Sequence, residues 1–196
     1  TSGIFKDLIL SFKGPQVNQA KEVTLTIGFI VQSLLFSAII PPIMEEIMFR
    51  KFMLNKLTPY GDKIAMIITG IAFGLYHCNF EQDFYGPPVG IVLGYVALKT
   101  GGIKYTIILH MFINTLTCVT EFLAIGSPNS AGIVSLGLVI LAIVGLIVLI
   151  INLKKVKLSK GEITLEKGTA FKVTCMNVGM ILYFISCIGW TIYWLL

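Results

Sequence analysis

The sequence has little charge for its length. Of 196 residues, 13% are charged and 56% are hydrophobic, with a mean hydropathy of +0.87, whereas a soluble domain carries about 25% charged residues. That shortage excludes a water-soluble domain. Alternating segments of about ten residues, which would mark a transmembrane β-barrel, are also missing: the uninterrupted apolar run over 134–153 does not alternate. Cysteine is scarce. Cys78, Cys118, Cys175 and Cys187 lie inside apolar segments without CxxC spacing, which excludes a disulfide framework and reads as small core residues. No GxSxG motif, internal repeat or low-complexity tract is present, and residues 1–13 lack the pattern of a signal peptide. The net charge of +5 is not a nucleic-acid footprint, because the lysines collect at helix ends and loops, where they act as topology signals.

What remains is a polytopic all-α transmembrane bundle. A crossing needs roughly 20 mostly apolar residues, and the pattern predicts about six spans, near 23–57, 64–80, 89–98, 105–125, 133–153 and 169–196. Three parts follow: an N-terminal interfacial helix in 1–22, a membrane core over 23–125 that holds the unusual polar residues, and two C-terminal transmembrane helices in 126–196. The first span is too long for one straight crossing, and Pro41-Pro42 is expected to bend or break it. A loop from Glu81 to Pro88 is expected before the third span, and Trp190, Tyr193 and Trp194 resemble an interfacial belt. Loops after the first, third and fifth spans carry lysines, including Lys51, Lys56, Lys63, Lys99, Lys104, Lys154, Lys155, Lys157 and Lys160, while those after the second and fourth carry none. The odd loops are therefore expected on the cytoplasmic side. Lys6, Lys13 and Lys21 disagree with that scheme, as an upstream helix or a re-entrant first half would explain.

A charged side chain at mid-bilayer costs at least ~2.5–3.5 kcal/mol, so the polar residues inside these spans need partners or a task. Glu46 and Arg50 stand at i and i+4 and can pair, while Glu45 points about 100° away from Glu46. His77 ends the second span, where Gly70 and Gly74 form a small-xxx-small face for close helix approach. His110 and Asn114 share one face of the fourth span, and Glu121 continues it toward the outer end. Polar groups in lipid turn toward the bundle interior or a wet cavity, so the three helices are expected to bring theirs together. Carboxylates, two imidazoles and an amide in such a pocket suit hydrolysis of an amide. Glu45 would take a proton from a water held by His77, and donors from His110 and Asn114 would meet the oxygen that becomes negative.

Glu45-Glu46-xxx-Arg50, Phe73-xxx-His77 and His110-xxx-Asn114, in this order over residues 39–116, resemble the three signature elements of the CAAX-protease and bacteriocin-processing (CPBP, or Abi) family of intramembrane peptidases. The resemblance implies that Glu45 and His77 activate the attacking water, that His110 and Asn114 form the oxyanion site, and that Glu46 with Arg50 supports Glu45. It also implies a membrane-associated peptide or protein substrate and a multi-pass location, with a short, Ile- and Lys-rich chain resembling bacterial members of the cell membrane. No cofactor is required in this scheme. Two alternatives stand beside it: a zinc-dependent membrane peptidase with Glu45, His77 and His110 as ligands, and a non-enzymatic bacteriocin-immunity or peptide-binding membrane protein.

Overall fold

A computed structural model describes residues 26–163 and 169–195. The expected interfacial helix in 1–22 lies outside the described residues.

Thr26 starts the first helix: its hydroxyl accepts a hydrogen bond from the backbone N–H of Phe29 at 3.1 Å, the N-cap arrangement that satisfies an orphan donor. Helix α1 then runs over Ile27–Tyr60. It does not break at Pro41-Pro42. The two prolines occupy the first positions of the α-helical segment Ile40–Glu45, directly after a wider π-type turn over Leu34–Ile39. Their missing N–H groups therefore fall where the hydrogen-bond register is already changing, so the interior proline penalty is avoided. A second π-type stretch, Glu46–Leu54, carries Glu46 and Arg50.

Helices α2 (Asp62–Tyr76) and α3 (Phe80–Thr100) form a tight antiparallel hairpin. Glycine makes the contact possible. A Cβ on Gly86 would lie 2.7 Å from the Cα of Gly74, and one on Gly90 would lie 2.8 Å from the Cα of Gly70. The small-residue face expected on the second span thus takes the next helix of the same chain, and Gly90 and Gly94 serve the same intrachain interface. This packing also corrects the loop expected over 81–88, which is helical and contains Pro87 and Pro88. The Pro87 ring occupies the space left by the missing side chain of Gly74, so interhelix contact offsets the lost backbone bonds. At 15 residues α2 is about 22 Å long, short of the roughly 30 Å hydrocarbon core. The turn bearing His77 and Cys78, the latter with φ +48°, therefore stops short of a full crossing.

Helix α4 (Lys104–Gly126) completes the core, and α5 (Pro128–Asn152) lies outside it with an apolar surface free of protein contact, as a lipid-facing helix requires. The last expected span is two helices, α6 (Thr169–Cys175) and α7 (Val178–Leu195). Asn177 separates them: its amide donates to the carbonyl of Thr174 at 3.1 Å, and its Oδ1 accepts from the N–H of Met180 at 3.0 Å, closing one helix and capping the next. α7 crosses α2, where the Tyr183 hydroxyl donates to the carbonyl of Ala72 at 2.6 Å. Trp190 and Tyr193 lie with ring centroids 5.7 Å apart; the Trp194 side chain is outside the described residues.

Three helices of the described chain are long and apolar enough to cross a membrane, Ile27–Tyr60, Lys104–Gly126 and Asn129–Asn152, with Val178–Tyr193 a shorter apolar helix. The architecture is an all-α membrane bundle. Its basic loops gather at one end. The segment after α5 docks on the α1–α2 turn, where Ser159 N–H donates to Asp62 Oδ2 at 2.8 Å and the N–H groups of Glu162 and Ile163 both donate to the carbonyl of Pro59 at 3.0 and 2.9 Å. Lys99, at the end of α3, donates to the carbonyl of Lys157.

Candidate active site

The site grows from Glu46. Its side chain and that of Arg50 are buried, at 0% and 1% exposure, and Arg50 Nη1 donates to Glu46 Oε1 at 2.9 Å across one turn of α1. Arg50 Nη2 donates to the carbonyl of Gly90 on α3 at 3.1 Å, a contact that the glycine-lined approach of α3 permits. The guanidinium carbon lies 4.3 Å from the centroid of the Phe73 ring on α2, within cation–π range. One arginine thus ties three helices.

α4 supplies the next member. His110, 2% exposed, donates from Nδ1 to the same Glu46 Oε1 at 3.0 Å and turns Nε2 toward Glu45 Oε2 at 3.6 Å. Glu45 is 8% exposed, and its Oε2, like Glu46 Oε2 and Arg50 Nε, is buried without a hydrogen-bond partner. Two carboxylates face one guanidinium here. An unbalanced charge in so dry a site would be costly.

His77 caps α2 and donates from Nδ1 to the carbonyls of Phe73 and Gly74, at 3.0 and 3.3 Å. That bond leaves Nε2 as the free, accepting nitrogen. The Phe73 ring makes T-shaped contacts with both imidazoles, with centroids 5.1 Å from His77 and 5.3 Å from His110, and Glu45 interacts electrostatically with His77, His110 and Arg50. Asn114, one turn beyond His110, donates from Nδ2 to the carbonyl of Ser37 on α1 at 2.9 Å. Each of the six sequence-designated residues therefore has a place, although Asn114 is anchored to backbone rather than to the carboxylate cluster. Glu121 is exposed and three turns removed.

The sequence pattern contains Phe73 but does not disclose its task as the ring against which Arg50, His77 and His110 are all set. The carbonyls of Gly90 and Ser37 were invisible to side-chain reasoning, although the glycine spacing marked where α3 would come close. For the zinc alternative, the described residues contain no group of three His, Cys, Asp or Glu side chains arranged to hold a metal ion. His110, one of the three proposed ligands, directs both ring nitrogens at carboxylates.

An all-α membrane bundle with a buried carboxylate, imidazole and guanidinium cluster defines a polytopic membrane protein with a built intramembrane polar site. Residues 27–116, which contain all six site residues, match the family model of the type II CAAX prenyl endopeptidase Rce1-like proteins, a match that supports the CAAX protease (CPBP) family. No curated protein and no solved structure matches the chain. The family is one of CAAX-type intramembrane proteases acting on membrane-associated peptides.

Proposed function

We propose that the protein is an intramembrane endopeptidase in which Glu45 and His77 activate a water for attack on a peptide bond of a membrane-associated substrate. The observation that carries this reading is the convergence of Glu45, Glu46, Arg50 and His110 from two helices, with the Phe73 ring in contact with Arg50, His110 and His77 and with Glu45 within electrostatic reach of His77. His77 has its Nδ1–H committed to backbone, so Nε2 accepts a hydrogen bond from one O–H of the water while Glu45 removes the other proton, leaving hydroxide to attack. Glu46 accepts from His110 Nδ1 and thereby supports the doubly protonated ring. The Nε2–H then serves as donor to the oxygen that becomes negative in the tetrahedral intermediate. Asn114 retains a second amide N–H beyond the one used on Ser37, and that group is the second donor.

The scheme is written without a metal, and the chelator comparison tests that choice. The test is to incubate purified protein and its Glu45→Gln variant with membrane-embedded peptides, prenylated and unprenylated, with and without chelator, and to identify products by mass. We expect cleavage by the unmodified protein in chelator and a loss of at least ~100-fold in Glu45→Gln, the low end for removing a general base. Undiminished cleavage by folded Glu45→Gln would remove Glu45 as the base. Loss of activity in chelator, restored by zinc, would replace the metal-free scheme.

A further inference from the structure

At the basic end of the bundle a cavity of about 410 Å³ opens between α1, the end of α3 and the start of α4. Its polar lining is cationic or neutral: Arg50, Lys51 and Asn55 from α1, and the backbone of Gly101, Gly102 and Ile103 leading into α4. The remaining wall, Leu54, Ala97 and Leu98, is apolar, and no carboxylate lines the cavity. Two independent features aim positive potential into it. The first is the N-terminus of α4, a 23-residue helix that begins directly after Ile103 of the lining and whose N-cap makes no side-chain hydrogen bond, so its positive dipole end lies beside the cavity. The second is Arg50, 1% exposed, whose Nε is buried without a partner while Nη1 and Nη2 are engaged by Glu46 and Gly90.

We infer that this cavity binds the phosphate of an anionic phospholipid headgroup. A phosphate group presents acceptor oxygens in several directions, matching donors that arrive from the arginine stem, from Lys51 and from the α4 N-terminus, whereas a carboxylate has only two oxygens to share among them. The volume exceeds that of a bare phosphate, and the apolar wall of Leu54, Ala97 and Leu98 suits the glycerol portion and the start of an acyl chain. Basic pockets between transmembrane helices at a membrane surface hold such headgroups, and Lys99 and Lys104, at the end of α3 and the start of α4, flank this one in the chain. The assignment is independent of the peptidase reading. It also gives Arg50 two tasks, since the guanidinium that neutralises Glu46 is the inner wall of the headgroup pocket.

The experiment uses the full chain reconstituted in phosphatidylcholine vesicles with or without phosphatidylglycerol, followed by native mass spectrometry of retained lipid and thermal unfolding. Lys51→Glu alters the cavity, and Lys63→Glu, an exposed lysine that does not line it, is the charge-matched control. We expect the unmodified protein to retain phosphatidylglycerol and unfold at a higher temperature in its presence. Lys51→Glu should lower retention by about fivefold or more, as roughly 1 kcal/mol per basic residue implies, with Lys63→Glu close to unmodified. Equal losses in both variants would overturn the pocket in favour of diffuse surface charge. Stabilisation by inorganic phosphate in phosphatidylcholine vesicles, without retained anionic lipid, would overturn the lipid as the source of the phosphate.

Discussion

Glu46 Oε1 is the most heavily used atom of the site, accepting at 2.9 Å from Arg50 and at 3.0 Å from His110. Removing the guanidinium would leave a buried carboxylate with one imidazole and strip the Gly90 carbonyl of its side-chain donor. Arg50→Ala is therefore expected to destabilise the protein by about 3–5 kcal/mol, the range for breaking a buried pair, measured as thermal or denaturant unfolding in detergent. Adding Glu46→Gln to that variant should recover part of the loss, because the stranded charge disappears with its partner. A double-mutant cycle reads that coupling directly. Phe73→Leu keeps an apolar residue of similar bulk and removes the ring face under Arg50 and its edges against the imidazoles. A stability cost of about 1 kcal/mol is expected, with activity per folded molecule falling further than stability, because both histidines lose the surface that orients them. The identities of these residues were legible in the sequence, since charged and imidazole side chains stand out in apolar helices. Their partners were not. Whether His110 would donate to Glu45 or Glu46 depends on the rotation of α4 against α1, which residue spacing within either helix does not contain.

At the scale of elements, the α2–α3 hairpin decides where the chemistry sits. Its glycines bring two backbones close enough for Arg50 on α1 to reach the Gly90 carbonyl, and they hold the His77 turn beside the cluster. Gly86→Val is expected to force the hairpin apart and to cost about 3 kcal/mol or more, as overpacking a contact made of backbone atoms does. Gly132→Val, at a glycine with nothing within 4 Å of the added carbon, should leave the melting temperature nearly unchanged. The same comparison under the assay for cleavage separates displacement of His77 from general instability. Small-xxx-small spacing announced this contact, but the helical course of residues 81–88 was hidden. Pro87 and Pro88 read as a break, and only the vacant space opposite Gly74 explains why the helix continues. The reverse error occurred in the last span, where Asn177 acts as a cap amid apolar residues that read as one continuous helix.

For the whole molecule, the basic loops converge at one end because the segment after α5 hydrogen-bonds to the α1–α2 turn and to Lys99. Single cysteines at Lys56, Lys99 and Lys157, introduced into a protein lacking its native four, are expected to react with a membrane-impermeant maleimide from one face of sealed vesicles. One at Ser127, beyond the far end of α4, should react from the other. Labelling of Lys99→Cys and Lys157→Cys from opposite faces would contradict the docked segment. The sequence by itself determined the solvent, the helical class and the list of polar residues too costly to bury without a task, because hydropathy and helical period are properties of local sequence. Only the tertiary structure decided how those residues are joined. Glu46 and His110 are 64 positions apart, Arg50 and Gly90 are 40 apart, and Asn114 and Ser37 are 77 apart. Bonds over such separations depend on helix rotation, depth and approach, which arise from the packing of glycine and proline surfaces against each other and not from the pattern within any one helix.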